Sequence, residues 1–280
     1  MPPAKRAKTA HATQGSMFEL RYFPLMAKGL GPALVAEHSG WPWSGNATLK
    51  FTIDEHWKEL KPTTPFGQLP LLTVPGNITF QLAQTTAIVN YIGNIAHSDG
   101  IQYDQVSARD DLPRGSRRYA MSQQLIAEAE DIYNLMVKFL PTLYKQLSSV
   151  DGSVVTSKGT AADYSAFWAE LLPPHLASLE RLIPFNPEIV EEGMHGHRRC
   201  STFLAGELHL FAMLYQAFLV SEKLLEGFPK LATWFKTIKD DARSQRVLGG
   251  QSPMGKLEQY FLSIDSDVVC RLGDERGRWG

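Results

Sequence analysis

Residues 57–92 read WKELKPTTPFGQLPLLTVPGNITFQLAQTTAIVNYI, and the order of features within them decides how the rest of the chain is read. A loop ending in Gly67-Gln68-Leu69-Pro70 runs into a short apolar strand. A turn at Pro75-Gly76-Asn77 leads to a second strand, and a helix opens at Gln84-Thr85-Thr86. An X-Pro bond adopts cis far more cheaply than any other peptide bond, so Leu69-Pro70 at the head of a strand can turn the Leu69 amide and carbonyl outward to pair with an extended, peptide-like ligand. The helix start at Gln84-Thr85 supplies free N–H groups, a hydroxyl and the positive end of a helix dipole, which suit a carboxylate. Each feature alone is also an ordinary turn or cap. Their spacing makes an edge suited to a small anionic peptide.

Composition bounds what surrounds that edge. With 280 residues, 44% hydrophobic and 10% aromatic, the chain can bury one large core or two ordinary ones, and two domains are expected. A net charge of −1 and a pI of about 6.7 give no overall field for nucleic acid or an anionic membrane, so neither is expected as a partner. Cys200 and Cys270 form no C-x-x-C arrangement, which argues against a disulfide scaffold, a thiol redox motif or structural zinc and fits a reducing compartment. His195, His197 and Cys200 lie among Pro187, Gly193, Gly196 and the basic pair Arg198-Arg199, which reads as an exposed loop and not as a metal centre. No apolar run reaches membrane-spanning length and no secretion signal is visible. A cytoplasmic protein is expected. Residues 1–16, with Lys5, Arg6 and Lys8, read as a disordered basic arm, with a nuclear-import address as the second reading.

From Met17 the pattern is strand-like, with Phe18, Leu20 and Tyr22 alternating with Glu19 and Arg21. Gly29 to Ser39 reads as a helix that Gly40 stops, with His38 facing the core. The chain then passes Pro42, Gly45 and Asn46 to an expected strand, LKFTI, at 49–53. Residues 98–113 are polar and form a linker. Helical patterns follow at 114–149, kinked near Pro141, and at about 161–182, 198–226 and 228–245. The reading is therefore an α/β domain at 17–97, an all-helical domain at 114–265 and a flexible tail at 266–280.

The order of Gly-Gln-Leu-Pro, strand, turn, strand and Gln-Thr helix resembles the glutathione-binding half of the soluble glutathione transferases. LRYFPLM at 20–26 is similar to the first strand and loop of the sigma class, which includes haematopoietic prostaglandin D synthase. GFPKLATWFKTIKDDARSQRV at 227–247 resembles the closing helix of these enzymes. The resemblance implies a thioredoxin-like N-terminal domain followed by an all-α domain. It implies glutathione as co-substrate, a small electrophilic apolar substrate and a homodimer. It places the catalytic tyrosine on Tyr22, glutathione contacts on Tyr22, Phe23, Lys28, Trp57, Lys61, Gln68, Leu69, Pro70, Gln84 and Thr85, and pocket positions on Met26 and Tyr133. The physical role of Tyr22 is plain: a free thiol with a pKa of about 8.5 is mostly protonated at neutral pH, and a phenol donating to the sulfur stabilises the thiolate. Lowering that pKa by about two units needs roughly 2.7 kcal/mol, within reach of one charge-assisted hydrogen bond and a helix N-terminus. Neither Cys nor Ser occurs between Met17 and Glu37, so variants of the family that use those residues do not fit.

Two departures stand out. Gln123 falls where the family's partner subunit commonly presents an acidic residue to the glutathione amine. After Phe203-Leu204-Ala205-Gly206 the family's Thr-x-x-Asp capping pair is replaced by Leu210 and Met213, so the helix is expected to start differently, with Ser201 or Thr202 as its cap. The chain reads as a transferase or a glutathione-dependent isomerase. The alternative is a catalytically weak binding module on the same fold.

Overall fold

The computed structural model describes residues 17–47, 55–76, 79–97, 117–143, 161–185 and 203–263. The N-terminal part is a four-stranded sheet in the order β2-β1-β3-β4, formed by β1 (Phe18–Arg21), β2 (Trp43–Asn46), β3 (Leu71–Val74) and β4 (Phe80–Ala83). β1 runs parallel to β2 and antiparallel to β3, and β3 pairs antiparallel with β4. Helices α1 (Leu30–Ser39), α2 (Glu55–Leu60) and α3 (Thr85–His97) are interleaved with the strands. This is a thioredoxin-like layer of sheet and helix.

β2 corrects the sequence reading, which passed over 41–46 as a turn; the expected LKFTI strand lies outside the described residues. Pro42, Gly45 and Asn46 look like turn chemistry, yet tertiary packing decides. Trp43 is buried, its ring stacks on Phe18 at 6.5 Å, and its indole N–H donates to Glu37 Oε2 at 3.1 Å. Gly45 is needed because the backbone of Pro253 and Met254 passes where its Cβ would be, 2.6 Å away.

Helices α4 (Arg117–Phe139), α5 (Ala161–Ala166), α6 (Pro173–Leu182), α7 (Ala205–Val220), α8 (Pro229–Asp240) and α9 (Ala242–Leu248) make up the second part. The stretch expected as one helix over 161–182 is interrupted by a wide π-type turn at Phe167–Leu171, and Pro173-Pro174 begins a new helix. The pattern over 228–245 divides at Asp241, whose carboxylate accepts from the N–H groups of Arg243 and Ser244 at 2.8 and 3.4 Å and so caps α9. The pattern over 198–226 contracts to α7 and a 3-10 turn at Glu222–Leu225. Among the described residues the last helix ends at Leu248, three residues past the expected 245.

α7 also settles the absent capping pair. The helix begins at Ala205, where the Leu204 N–H donates to the Glu207 carboxylate at 2.8 Å, and the Trp234 indole N–H donates to its other oxygen at 3.0 Å. Leu210 and Met213 are mid-helix core residues with 0% exposure, so they are not defective cap positions. Leu204 and Glu207 take the role assigned to Ser201 or Thr202, which lie outside the described residues.

α1 joins the two parts. All its residues but Glu37 are buried, and it packs against α3, α7 and α9. Glu37 pairs with Arg246 at 2.6 Å, Arg243 donates to the His38 carbonyl at 3.1 Å, and His38 Nε2 lies 2.9 Å from Ser244 Oγ and 3.5 Å from Asp241 Oδ1. Burial lowers the His38 pKa to about 4, against the opposing pull of the Asp241 carboxylate. Between pH 6.5 and 4 the unfolded chain therefore holds a proton at His38 that the folded chain refuses. Stability from this group is complete above about 6.5 and is lost as pH falls toward 4, by roughly 3 kcal/mol at most. Urea midpoints measured across that range should fall with pH in the wild type and lose most of this slope in His38→Gln.

No helix among the described residues is long and apolar enough to cross a membrane. The His195, His197 and Cys200 loop lies outside the described residues.

Candidate active site

Three features converge at one end of the sheet. Tyr22 directly follows β1, Leu69-Pro70 directly precedes β3 and Gln84-Thr85 directly follows β4. The registers Arg21↔Leu71 and Leu71↔Ala83 carry Tyr22 alongside Pro70, and Pro70 alongside Gln84. The Leu69-Pro70 bond is cis. Gln84 has φ 74°, a left-handed backbone that costs a non-glycine residue about 1 kcal/mol or more. That bend starts α3 at Thr85, which is buried, while the Gln84 side chain is exposed.

Tyr22 is held tightly. Its ring lies against Gly29, where a Cβ would come within 2.3 Å of Tyr22 Cδ1, so no larger residue fits there without displacing the phenol. The Lys28 backbone N–H donates to the Tyr22 hydroxyl at 3.1 Å. Burial pushes the Tyr22 pKa above its ordinary value, a rise the Lys28 N–H only partly offsets. The phenol thus stays protonated, and an oxygen already accepting one bond is polarised to donate its own hydrogen.

The remaining expected residues fall around this point. Phe23 meets Tyr22 edge-on at 5.7 Å and Trp57 at 5.6 Å. Lys61 is exposed and its Cε passes 3.5 Å from the Cβ position of Gly67, just ahead of exposed Gln68 and half-buried Leu69. Met26 and Tyr133 are both buried. Gln123 exchanges hydrogen bonds with Asn90 of α3, one of them 3.1 Å long.

Lys28 adds a network that sequence reasoning missed. Its ammonium pairs with Glu130 and lies 4.1 Å from the centre of the Tyr133 ring. Glu130 also accepts from His209 Nε2 at 3.0 Å. His209 is fully buried, and its Nδ1 sits 2.2 Å from where a Gly31 Cβ would be, with no hydrogen-bond partner. Burial lowers the His209 pKa, so the ring is neutral and donates through Nε2. Burial works to raise the Glu130 pKa, but the His209 N–H and the Lys28 ammonium outweigh it and hold it at about 2. Because His209 is neutral, the charge that steadies Glu130 is that of Lys28. A signal was present in the sequence: Glu130 interrupts the buried stripe of Ile126, Ala129 and Tyr133, and His209 interrupts the apolar run of α7. A carboxylate and an imidazole in such places require partners.

No family model matches the chain. Glutathione S-transferase 1 of Ascaris suum is 30% identical over 189 residues, covering 60% of this chain and 82% of that protein. Among solved structures, the Fasciola hepatica sigma class GST superposes with a TM-score of 0.54 at 22% identity, covering 84% of this chain and 97% of that one. Rat hPGDS complexed with a quinoline superposes with a TM-score of 0.55 at 14% identity, covering 86% and 99%. The Ascaris relative establishes membership, and the two structures establish the architecture: the chain belongs to the glutathione transferase family and is an enzyme of that family.

Proposed function

We propose that the chain ionises the thiol of glutathione at Tyr22 and directs it at a small, apolar electrophile, or uses it in a glutathione-dependent isomerisation. The observation that carries this reading is the polarised, protonated Tyr22 hydroxyl at the same sheet end as the cis Leu69-Pro70 and the Gln84-Thr85 helix start. In this reading the Leu69 backbone pairs with the tripeptide as a further strand would. The Thr85 hydroxyl and the first N–H groups of α3 receive a carboxylate. Trp57 and Lys61, donors only, receive the other carboxylate, with Gln68 and Gln84 supplying polar contacts. Phe23 backs Tyr22 and Trp57. Lys28 holds the Tyr22 oxygen through its backbone, while its side-chain charge is partly neutralised by Glu130. Met26 and Tyr133 border the electrophile. A homodimer accompanies this reading.

A second reading, a binding module of low activity, draws on Gln123, which is uncharged and already engaged by Asn90. One experiment separates the two. The purified chain is applied to immobilised glutathione, and thiolate absorbance of added glutathione is followed near neutral pH. Retention with a thiolate signal is expected; retention without one supports the module, and absence of both sinks the first reading.

A further inference from the structure

Helix α7 takes hold of Lys28 from two places. His209 reaches the Lys28 ammonium by way of Glu130. Seven residues on, and so on the same face of α7, Gln216 donates its side-chain N–H to the Ala27 carbonyl at 3.1 Å and to the Ala212 carbonyl of its own helix at 3.2 Å. The Ala27 carbonyl and the Lys28 N–H belong to one planar peptide group, and that N–H donates to the Tyr22 hydroxyl at 3.1 Å. A line of hydrogen bonds thus runs from Gln216 through this peptide to the phenol, with Gln216 and Ala27 189 positions apart in sequence.

Two observations set this line apart from the ordinary pairing of a buried carbonyl. Ala27 has φ 22°, in the left-handed half of backbone space, which an L residue adopts only when its surroundings hold it there. It is buried, inside the tight turn that the Gly29 N–H closes on the Met26 carbonyl at 2.7 Å. Gln216 is itself fully buried, and its Oε1 has no hydrogen-bond partner. An amide that leaves its own oxygen unpaired in the core is costly to keep, and within the apolar run Leu210–Val220 a Leu or Met would fill the same space. What Gln216 supplies is the setting of the 27–28 peptide: with the carbonyl engaged on one side, the N–H on the other is a stronger and better aimed donor.

Resting on the Tyr22 reading, we propose that Gln216 is a positioning residue for thiol activation: it sets the Ala27–Lys28 peptide so that its N–H meets the Tyr22 oxygen, which leaves the phenol's own hydrogen free for the sulfur. Buried in α7, Gln216 reaches the site only through this peptide. Without it the peptide is free to tilt, the Lys28 N–H drifts from the phenol, and a less polarised hydroxyl stabilises the thiolate less.

The test uses the full-length protein as wild type, Gln216→Met, Tyr22→Phe and the double variant. Thiolate absorbance of bound glutathione is titrated against pH, and chlorodinitrobenzene serves as electrophile. Methionine keeps the length of the side chain and removes the donor, while the charged and titratable groups around the phenol, Lys28, Glu130, His209, Tyr133 and Tyr260, are unaltered. Gln216→Met should raise the thiol midpoint by about half a unit to one unit and lower kcat/KM near neutral pH about three- to tenfold, with the deficit closing as pH rises past the midpoint. In the Tyr22→Phe background the same substitution should leave the midpoint where it is. A lower melting temperature with an unmoved midpoint would make Gln216 structural only and overturn the proposal, as would an equal shift in both backgrounds. If Tyr22→Phe itself leaves the midpoint unmoved, the Tyr22 reading has failed and takes the thiol effect with it. The grip on the peptide is then decided by hydrogen exchange at the Lys28 amide, which should quicken about tenfold in Gln216→Met; an unchanged rate refutes it. Should Gln216→Met not fold, magnetic resonance of the wild type decides: the Gln216 side-chain amide protons should shift on adding glutathione but not S-methylglutathione, and equal shifts or none overturn the proposal.

Discussion

Replacing Tyr22 by Phe is expected to lower kcat/KM for conjugation about a hundredfold or more and to raise the pKa of bound glutathione by about two units, with little change in melting temperature. The ring stays, so its packing on Gly29 and Phe23 stays. What goes is one hydroxyl that accepts from the Lys28 N–H and, in the proposed mechanism, donates to the sulfur. Two units correspond to roughly 2.7 kcal/mol, the scale of a hydrogen bond to a charged group in a place sheltered from water. Losing the hydroxyl also leaves the Lys28 N–H without that acceptor, a cost of about 1–2 kcal/mol that water entering beside the ring can reduce. A thiolate titration of glutathione on the two proteins decides the matter: equal midpoints would remove Tyr22 from thiol activation.

Gly206→Ala is expected to be the most damaging single methyl addition to the fold, with a loss of about 3 kcal/mol read from chemical denaturation. A Cβ there would come within 2.2 Å of the Ser122 carbonyl oxygen and 2.9 Å of its Cα. These are backbone atoms of α4 and cannot swing aside. The same approach makes the Gly206 N–H bond to Ser122 Oγ, 3.0 Å long, and a shift to relieve the clash would stretch it. Methyl addition at Gly227 makes a control for the space, since nothing lies within 4 Å of its Cβ position; its φ of 90° still carries a backbone penalty. A Gly206→Ala protein as stable as wild type would mean that α4 and α7 can separate more easily than their contact suggests.

What the sequence disclosed was local. Gly-Gln-Leu-Pro, Gln84-Thr85 and Tyr22 each sit at the tip of a strand, and reading them in order was enough to find the sheet end they share, because strand tips depend on neighbours a few residues away. The α1 boundaries were legible for the same reason, with Pro32 in its first turn and Gly40 in the left-handed conformation after it. β2 was hidden because its stability comes from Trp43 stacking on Phe18, a contact between residues 25 apart in sequence. The start of α7 was misplaced since its cap is a carboxylate three residues inside the helix, shared with Trp234 from α8. The Glu130–His209 bridge and the backbone bonds of Glu258 to Pro24 and Met26 involve partners far apart along the chain, and neither carries a periodic pattern.

One consequence follows from α1, the helix with almost no face toward water. The sheet and the helical bundle both take hold of it, through Tyr22 on Gly29 just ahead of its first turn, His209 on Gly31 and Ser244 on His38. The two halves are therefore expected to melt together, and in the proposed mechanism a tripeptide held at the sheet edge would stabilise the chain as far away as α9. Limited proteolysis with and without glutathione is expected to show both halves protected together.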